Sequence, residues 1–143
     1  YLAVVLDLRT RLVLGWSMAN RPLGLLAVDA LKMALGRQVP QPGQLHHSDR
    51  GGHYSSHAYQ QLLKLHGLVA SMSARADCYD NAVVESFFAS LKRELLHPEA
   101  VPEERQARRL VFDYIEVFYN RRRRHSALGY MNPTEYAKLH GVP

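Results

Sequence analysis

Residues 44–56 read QLHHSDRGGHYSS, an apolar-polar stretch that breaks into a run of turn formers. Gln44 to His47 fits a short strand, and Ser48-Asp49-Arg50-Gly51-Gly52 fits the loop that ends it. Asp49 therefore stands at the end of a strand, where a rigid element could aim a carboxylate. Working outward, Pro40, Pro42 and Gly43 make a connector on the N-terminal side. Ser56 to His66 carries Tyr59, Leu62, Leu63 and Leu65 at helical spacing, closed by Gly67. Leu68 to Ser73 is a second short strand candidate, so a helix links two strands.

Further out, Tyr1 to Leu8 and Arg11 to Met18 are apolar runs separated by the polar pair Arg9-Thr10, the pattern of an antiparallel strand pair. Pro22 suits a first helical turn, and Leu25, Val28, Leu31, Lys32 and Leu35 repeat at helical spacing up to Gly36. After the polar stretch Ala74 to Tyr79, the apolar positions Val84, Phe87, Phe88, Leu91 and Leu95 predict a helix with Asp80 or Asn81 as its N-cap, ending at His97-Pro98. Glu103 to Asn120 gives the cleanest amphipathic helix, with Ala107, Leu110, Val111, Tyr114, Ile115 and Phe118 on its apolar face. A Gly129-Tyr130 turn and a short helix from Pro133 complete the chain. The order of elements is mixed α/β.

Composition narrows the function classes. A chain of 143 residues, 47% hydrophobic, suits one domain with one core. Eighteen Lys and Arg against 13 Asp and Glu give a net charge of +5, which favours polyanionic partners. The single Cys78 excludes an intramolecular disulfide framework and fits a reducing cytoplasm. No apolar run approaches the roughly 20 residues needed to span a bilayer, so no membrane partner is expected.

Asp49 and Glu85 are the acidic pair that chemistry singles out, since phosphoryl transfer on DNA uses carboxylates to hold divalent ions. Singly, each has a plainer explanation: a turn Asp in Ser-Asp-Arg-Gly-Gly, and an early-helix Glu favoured by the macrodipole. Lys92 follows Glu85 by seven residues, two helical turns, and so shares its face. Arg121, Arg122, Arg123 and Arg124 with His125 form the strongest local positive field, although such a run is often only a solvated surface. His46, His47, His53 and His57 crowd around Asp49. Zinc is disfavoured there, because no second Cys is available and His53 falls in a loop.

Three ordered blocks outweigh these single residues: HHSDRGGHYSS at 46–56, SMSARADCYDNAVVESFFASLKREL at 71–95 and YNRRRRHSALGYMNPTEY at 119–136. Together with YLAVVLDL and VLGWSM near the start, they resemble the second-frame transposase of the insertion sequence three family, similar to the retroviral integrase core. The resemblance implies a ribonuclease H-like fold over 1–143, with 119–140 as a basic C-terminal segment. It also implies DNA cleavage and strand transfer at three carboxylates holding two Mg2+ ions. Asp49 matches the second carboxylate and Glu85 the third, while Lys92, Arg121 to Arg124 and His125 match positions expected to contact DNA. The intact enzyme is expected to be a homo-oligomer acting on transposon ends and target DNA, nucleoid-associated in a bacterial cytoplasm.

The resemblance also marks departures. VVLDL matches the second strand of the fold, so Asp7 is expected to be structural or surface exposed, and the first, central strand with its Asp is expected upstream of Tyr1. A chain without it is expected to be marginally stable or self-associating, and nearly inactive. Ala76 stands where the family tends to have Gly. The alternative function is a non-catalytic DNA-binding or inhibitory remnant, and a more distant one is a ribonuclease H-like nuclease of repair or RNA processing.

Overall fold

The structure, a computed structural model, describes residues 1–21, 24–48, 54, 56–72, 78–95 and 102–140. The elements are β1 (Leu2–Leu6), β2 (Val13–Met18), α1 (Leu25–Arg37), β3 (Leu45–Ser48), α2 (His57–Leu65), β4 (Val69–Met72), α3 (Cys78–Leu95) and α4 (Glu104–Phe112). A π-helical segment (Asp113–Tyr119), a 3₁₀ turn (Ser126–Leu128) and α5 (Pro133–Leu139) follow. The chain divides into two compact units. The first holds residues 1–5 and 14–82, the second 6–13 and 83–143.

In the first unit the strands make two separate two-stranded sheets, β1 with β2 and β3 with β4. At the open end of the first sheet, Tyr1 and Ala19 exchange hydrogen bonds at 2.8 and 3.1 Å. β3 and β4 run parallel, with Leu45 opposite Val69 and Ser48 opposite Met72, and α2 forms the crossover that parallel pairing requires. Ser56 caps α2 by accepting from the Tyr59 N–H, and Gly67 ends the turn after it at φ 71°.

The first core gathers Ala27, Val28 and Leu31 of α1 with Tyr59 and Leu63 of α2, and Val5, Leu35, Tyr54, Leu62 and Leu68 pack around them. The buried face of α1 is richer in alanine than the Leu-Val spacing suggests. Ala27, Ala30 and Ala34 are buried, while Leu25 is 62% exposed and Lys32 is also outside. The reason lies opposite, at Gly15 of β2. A Cβ there would sit 2.1 Å from the Ala30 carbonyl oxygen and 2.7 Å from the Ala34 nitrogen. Backbone meets backbone at that point, and only small residues fit.

In the second unit, Asp7 closes the tip of the first hairpin. Its Oδ1 accepts from the Arg9 and Thr10 N–H groups at 2.8 and 2.9 Å, and its backbone exchanges hydrogen bonds with Leu12 and Arg11. This is an Asx turn, with Arg11 at φ 63° and Thr10 fully buried. Of the two roles expected for Asp7, structural or surface exposed, these hydrogen bonds give it a structural one in the hairpin turn.

In the second unit Phe87 and Leu91 of α3, Val111, Tyr114, Ile115, Tyr119, Leu128 and Ala137 are buried, and the Tyr119 ring meets those of Phe87 and Tyr114 at 4.9 and 6.1 Å. Burying Ile115 completely contributes roughly 1.5–3 kcal/mol. α3 begins at Cys78, so Asp80 lies inside the first turn and is not the N-cap. The expected stop at His97-Pro98 lies outside the described residues, as does Pro22. The long amphipathic helix continues past Phe112 in π register, where the Asn120 N–H reaches the Ile115 carbonyl at 3.1 Å, five residues back. α5 opens with a capping box between Asn132 and Glu135 and with Pro133 in its first turn. Among the described residues, no helix is long and apolar enough to cross a membrane.

Candidate functional site

β3 ends at Ser48, the residue before Asp49; Asp49 and Arg50 lie outside the described residues, as do 51–53. The strand itself is held by its two histidines. Nε2 of His46 and the Tyr59 hydroxyl share a hydrogen bond of 2.6 Å, and Nδ1 of His47 lies 3.1 Å from the Ser71 hydroxyl. Burial, with help from neighbouring His47, lowers the pKa of His46 to about 4, and burial pushes the Tyr59 phenol well above its ordinary value. Both are neutral near pH 7, as suits packing groups beside a strand end. Among the described residues, no three His, Cys, Asp or Glu side chains gather as metal ligands.

Glu85 sits in α3 and is exposed, as is Lys92 two turns later. In a helix of 3.6 residues per turn, seven positions come back to within about 20° of the start, so the carboxylate and the ammonium occupy one face. The opposite face carries Phe87, Ser90 and Leu91, all buried. α3 is therefore a two-sided element, with apolar packing on one side and an acid and a base offered to solvent on the other.

The basic segment splits in the same way. Arg121, Arg122 and Arg124 are exposed, whereas Arg123 turns inward. Its guanidinium meets both carboxylate oxygens of Glu94 at 2.9 to 3.1 Å, donates to the Ser90 hydroxyl at 3.2 Å, and lies 6.0 Å from the centre of the Tyr119 ring. Glu94 also accepts from the Tyr114 hydroxyl at 2.6 Å. Burial pushes the Glu94 carboxyl upward, but hydrogen bonds from Arg123 and Tyr114 and the Arg123 charge outweigh it and hold it below the usual carboxylate range. The same hydrogen bonds, donated by Arg123 to Glu94, raise the Arg123 pKa further against its burial. Burial, then Glu94, push the Tyr114 phenol well up, and burial takes Tyr119 to about 12.

His125 is also turned inward. Its ring meets Tyr119 edge-on at 5.0 Å, its backbone N–H bridges to the Met131 carbonyl at 3.1 Å, and its Nε2 is buried with no partner among the described residues. Burial first, then the charges of Arg123 and Arg11, lower its pKa to about 4, so it carries no charge at neutral pH. Of the six positions expected to meet DNA, four are placed outward as exposed cations, Lys92, Arg121, Arg122 and Arg124. Arg123 and His125 are engaged with the core. Sequence reasoning missed Glu94, Ser90 and Tyr114, because no local spacing connects positions 94, 114 and 123; the pairing arises from tertiary packing.

Residues 1–78 match one model of an integrase core domain and residues 66–133 match another. The chain is 52% identical over 136 residues to the transposase InsF for insertion sequence IS3A of Escherichia coli (strain K12), covering 95% of this chain and 47% of that protein. It is 41% identical over 138 residues to the transposase for insertion sequence element IS904 of Lactococcus lactis subsp. lactis (strain IL1403), covering 96% of this chain and 54% of that protein. The chain spans about half the length of the curated relatives it matches. Since the first match alone takes in more than half of its residues, the chain belongs to the integrase core domain family.

Proposed function

We propose that this chain is the catalytic core portion of a DNA transposase with a ribonuclease H-like fold. The observation that carries the reading is the outer face of α3, where Glu85 and Lys92 stand exposed two turns apart in a chain that belongs to the integrase core domain family. In this reading Asp49 and Glu85 are two of three catalytic carboxylates. Their all-oxygen donor chemistry fits a hard divalent cation such as Mg2+, and the exposed Glu85 is open to one. Such a cation, when bound, supplies Lewis-acid stabilisation of the phosphodiester oxygens during in-line displacement. The protein's own part is to hold the carboxylates and to seat the DNA backbone. Lys92, Arg121, Arg122 and Arg124 supply the phosphate contacts, and self-association of the intact protein brings two DNA ends together.

The two separate sheets of the first unit are read as parts of one mixed, ribonuclease H-like sheet. Asp7 is not assigned as the remaining carboxylate, because its Oδ1 is engaged by the Arg9 and Thr10 N–H groups of the hairpin turn. Among the described residues both sheets have open edges, which makes the 143-residue chain prone to self-association. A monomeric chain with a cooperative, high-temperature unfolding transition contradicts this part of the reading.

Binding of a fluorescent duplex, followed by anisotropy over a range of salt concentrations, tests the DNA surface. The expected result is affinity that falls steeply with salt, with the slope reduced by about 0.9 for each of Lys92→Ala, Arg121→Gln, Arg122→Gln and Arg124→Gln. Salt-independent binding, or no binding, contradicts it.

A further inference from the structure

We propose that Arg123 is a positioning residue, clamped to Glu94 on the back of α3 so that the front of the same helix holds Glu85 and Lys92 in a fixed orientation.

The π segment makes the clamp possible. In an α-helix, residues five apart point about 140° away from one another. In π register the hydrogen bonds span five residues, so side chains five apart come to one side. Tyr114 and Tyr119 are five apart, both are buried, and their rings lie 6.1 Å from each other. Tyr114 donates to Glu94, and Tyr119 stacks edge-on against Phe87 of α3 at 4.9 Å while lying under the Arg123 guanidinium. Both tyrosines thus close on the same ion pair.

The pair has the geometry of a constraint. The guanidinium fork holds both Glu94 oxygens, a planar match that Lys cannot make. Its side chains are only 20% and 27% exposed, so solvent screens it less than a surface pair. Glu94 follows Glu85 by nine positions, two and a half turns, which puts the two carboxylates on opposite sides of α3. Fixing the azimuth of Glu94 therefore fixes that of Glu85 and Lys92. Arg123 is correspondingly withdrawn from phosphate, and the arginine run is three contacts and one latch.

The inference rests on the proposed DNA surface only for its second readout. The first readout is a double-mutant cycle on the full 143-residue chain, with Glu94→Gln, Arg123→Lys and both together, followed by urea unfolding. The two single changes are expected to be non-additive by at least about tenfold in the unfolding constant; additive effects overturn the clamp whether or not the chain binds DNA. The second readout is the salt slope of duplex binding. Arg123→Gln is expected to leave the slope unchanged. In the Arg123→Lys background, which keeps the charge if Gln fails to fold, Lys92→Ala is expected to lose the reduction of about 0.9 that it causes in the parent. A reduced slope for Arg123→Gln, or an undiminished Lys92 contribution beside Arg123→Lys, overturns the proposal. A parent chain without salt-dependent binding refutes the DNA surface, and the unfolding cycle alone then decides the clamp.

Discussion

The Asn120 carboxamide pairs with both backbone groups of Val13, its oxygen accepting the Val13 N–H at 2.9 Å and its nitrogen donating to the Val13 carbonyl at 3.0 Å. The partners are 107 residues apart in sequence, and both are buried. Asn120 spends every polar group it has: its N–H goes to Ile115, and its carbonyl accepts from the N–H and hydroxyl of Thr134 at 2.9 and 2.7 Å. Through its side chain and its backbone, this one residue ties the first residue of β2 to the end of the π segment and the start of α5.

Removing that carboxamide leaves the Val13 N–H and carbonyl buried and unpaired. Each such group costs about 1–3 kcal/mol. Asn120→Ala is therefore expected to lower the unfolding free energy by roughly 2–4 kcal/mol, read from urea unfolding. Asn120→Asp is expected to cost at least as much, because it loses the donor and buries a charge. A change below about 0.5 kcal/mol in either variant contradicts the pairing's role.

The π register gives a prediction that α-helical spacing reverses. Ile115 and Tyr114 lead by α spacing to Phe118 as the next buried position, yet Phe118 is 39% exposed and Tyr119 is 3% exposed. Tyr119→Ala is expected to cost roughly 3–5 kcal/mol, and Phe118→Ala less than half as much. Thermal or urea unfolding of the two variants settles the order, and a larger loss at Phe118 contradicts the register.

These two residues also show what the sequence could and could not disclose. The hairpin, the helix between β3 and β4 and the short helix from Pro133 were legible, because Arg9-Thr10, Gly67 and Pro133 are local signals; the parallel register and the capping box came only with the structure. The outward pair Glu85 and Lys92 was legible for the same reason, since its spacing is a property of one helix. The alanine face of α1 was not, because it answers to Gly15 on another element. Nor was the separation of Arg123 from its three neighbours, because Glu94 lies 29 residues earlier and nothing local selects one arginine of four. Asp49 falls outside the described residues, so its place at the site rests on the sequence alone.

The two half-buried histidines set an acid limit on stability. His46 and His125 are lowered from 6.5 to about 4 in the folded chain, so between those values the unfolded chain binds more protons. Stability is thus full above about pH 6.5 and falls as pH drops toward 4, by at most about 1.4 kcal/mol per unit for each histidine and less for these partly exposed rings. Glu94, held below the usual carboxylate range, adds a loss at still lower pH as it takes up its proton. Urea midpoints from pH 7.5 to 4.5 are expected to decline, and His46→Asn to flatten the decline. A flat or rising profile in the parent chain contradicts the burial of neutral imidazoles.

The central claim, that Asp49 and Glu85 are carboxylates of a DNA-joining centre, is tested most directly by transplanting this chain. A chimera in which these residues replace the matched stretch of the Escherichia coli IS3 transposase is scored for movement of the element in cells. The chimera is expected to support movement, and Asp49→Asn or Glu85→Gln each to reduce it by at least about a hundredfold without lowering the amount of folded protein. An active chimera that keeps its activity with either carboxylate replaced would contradict the assignment.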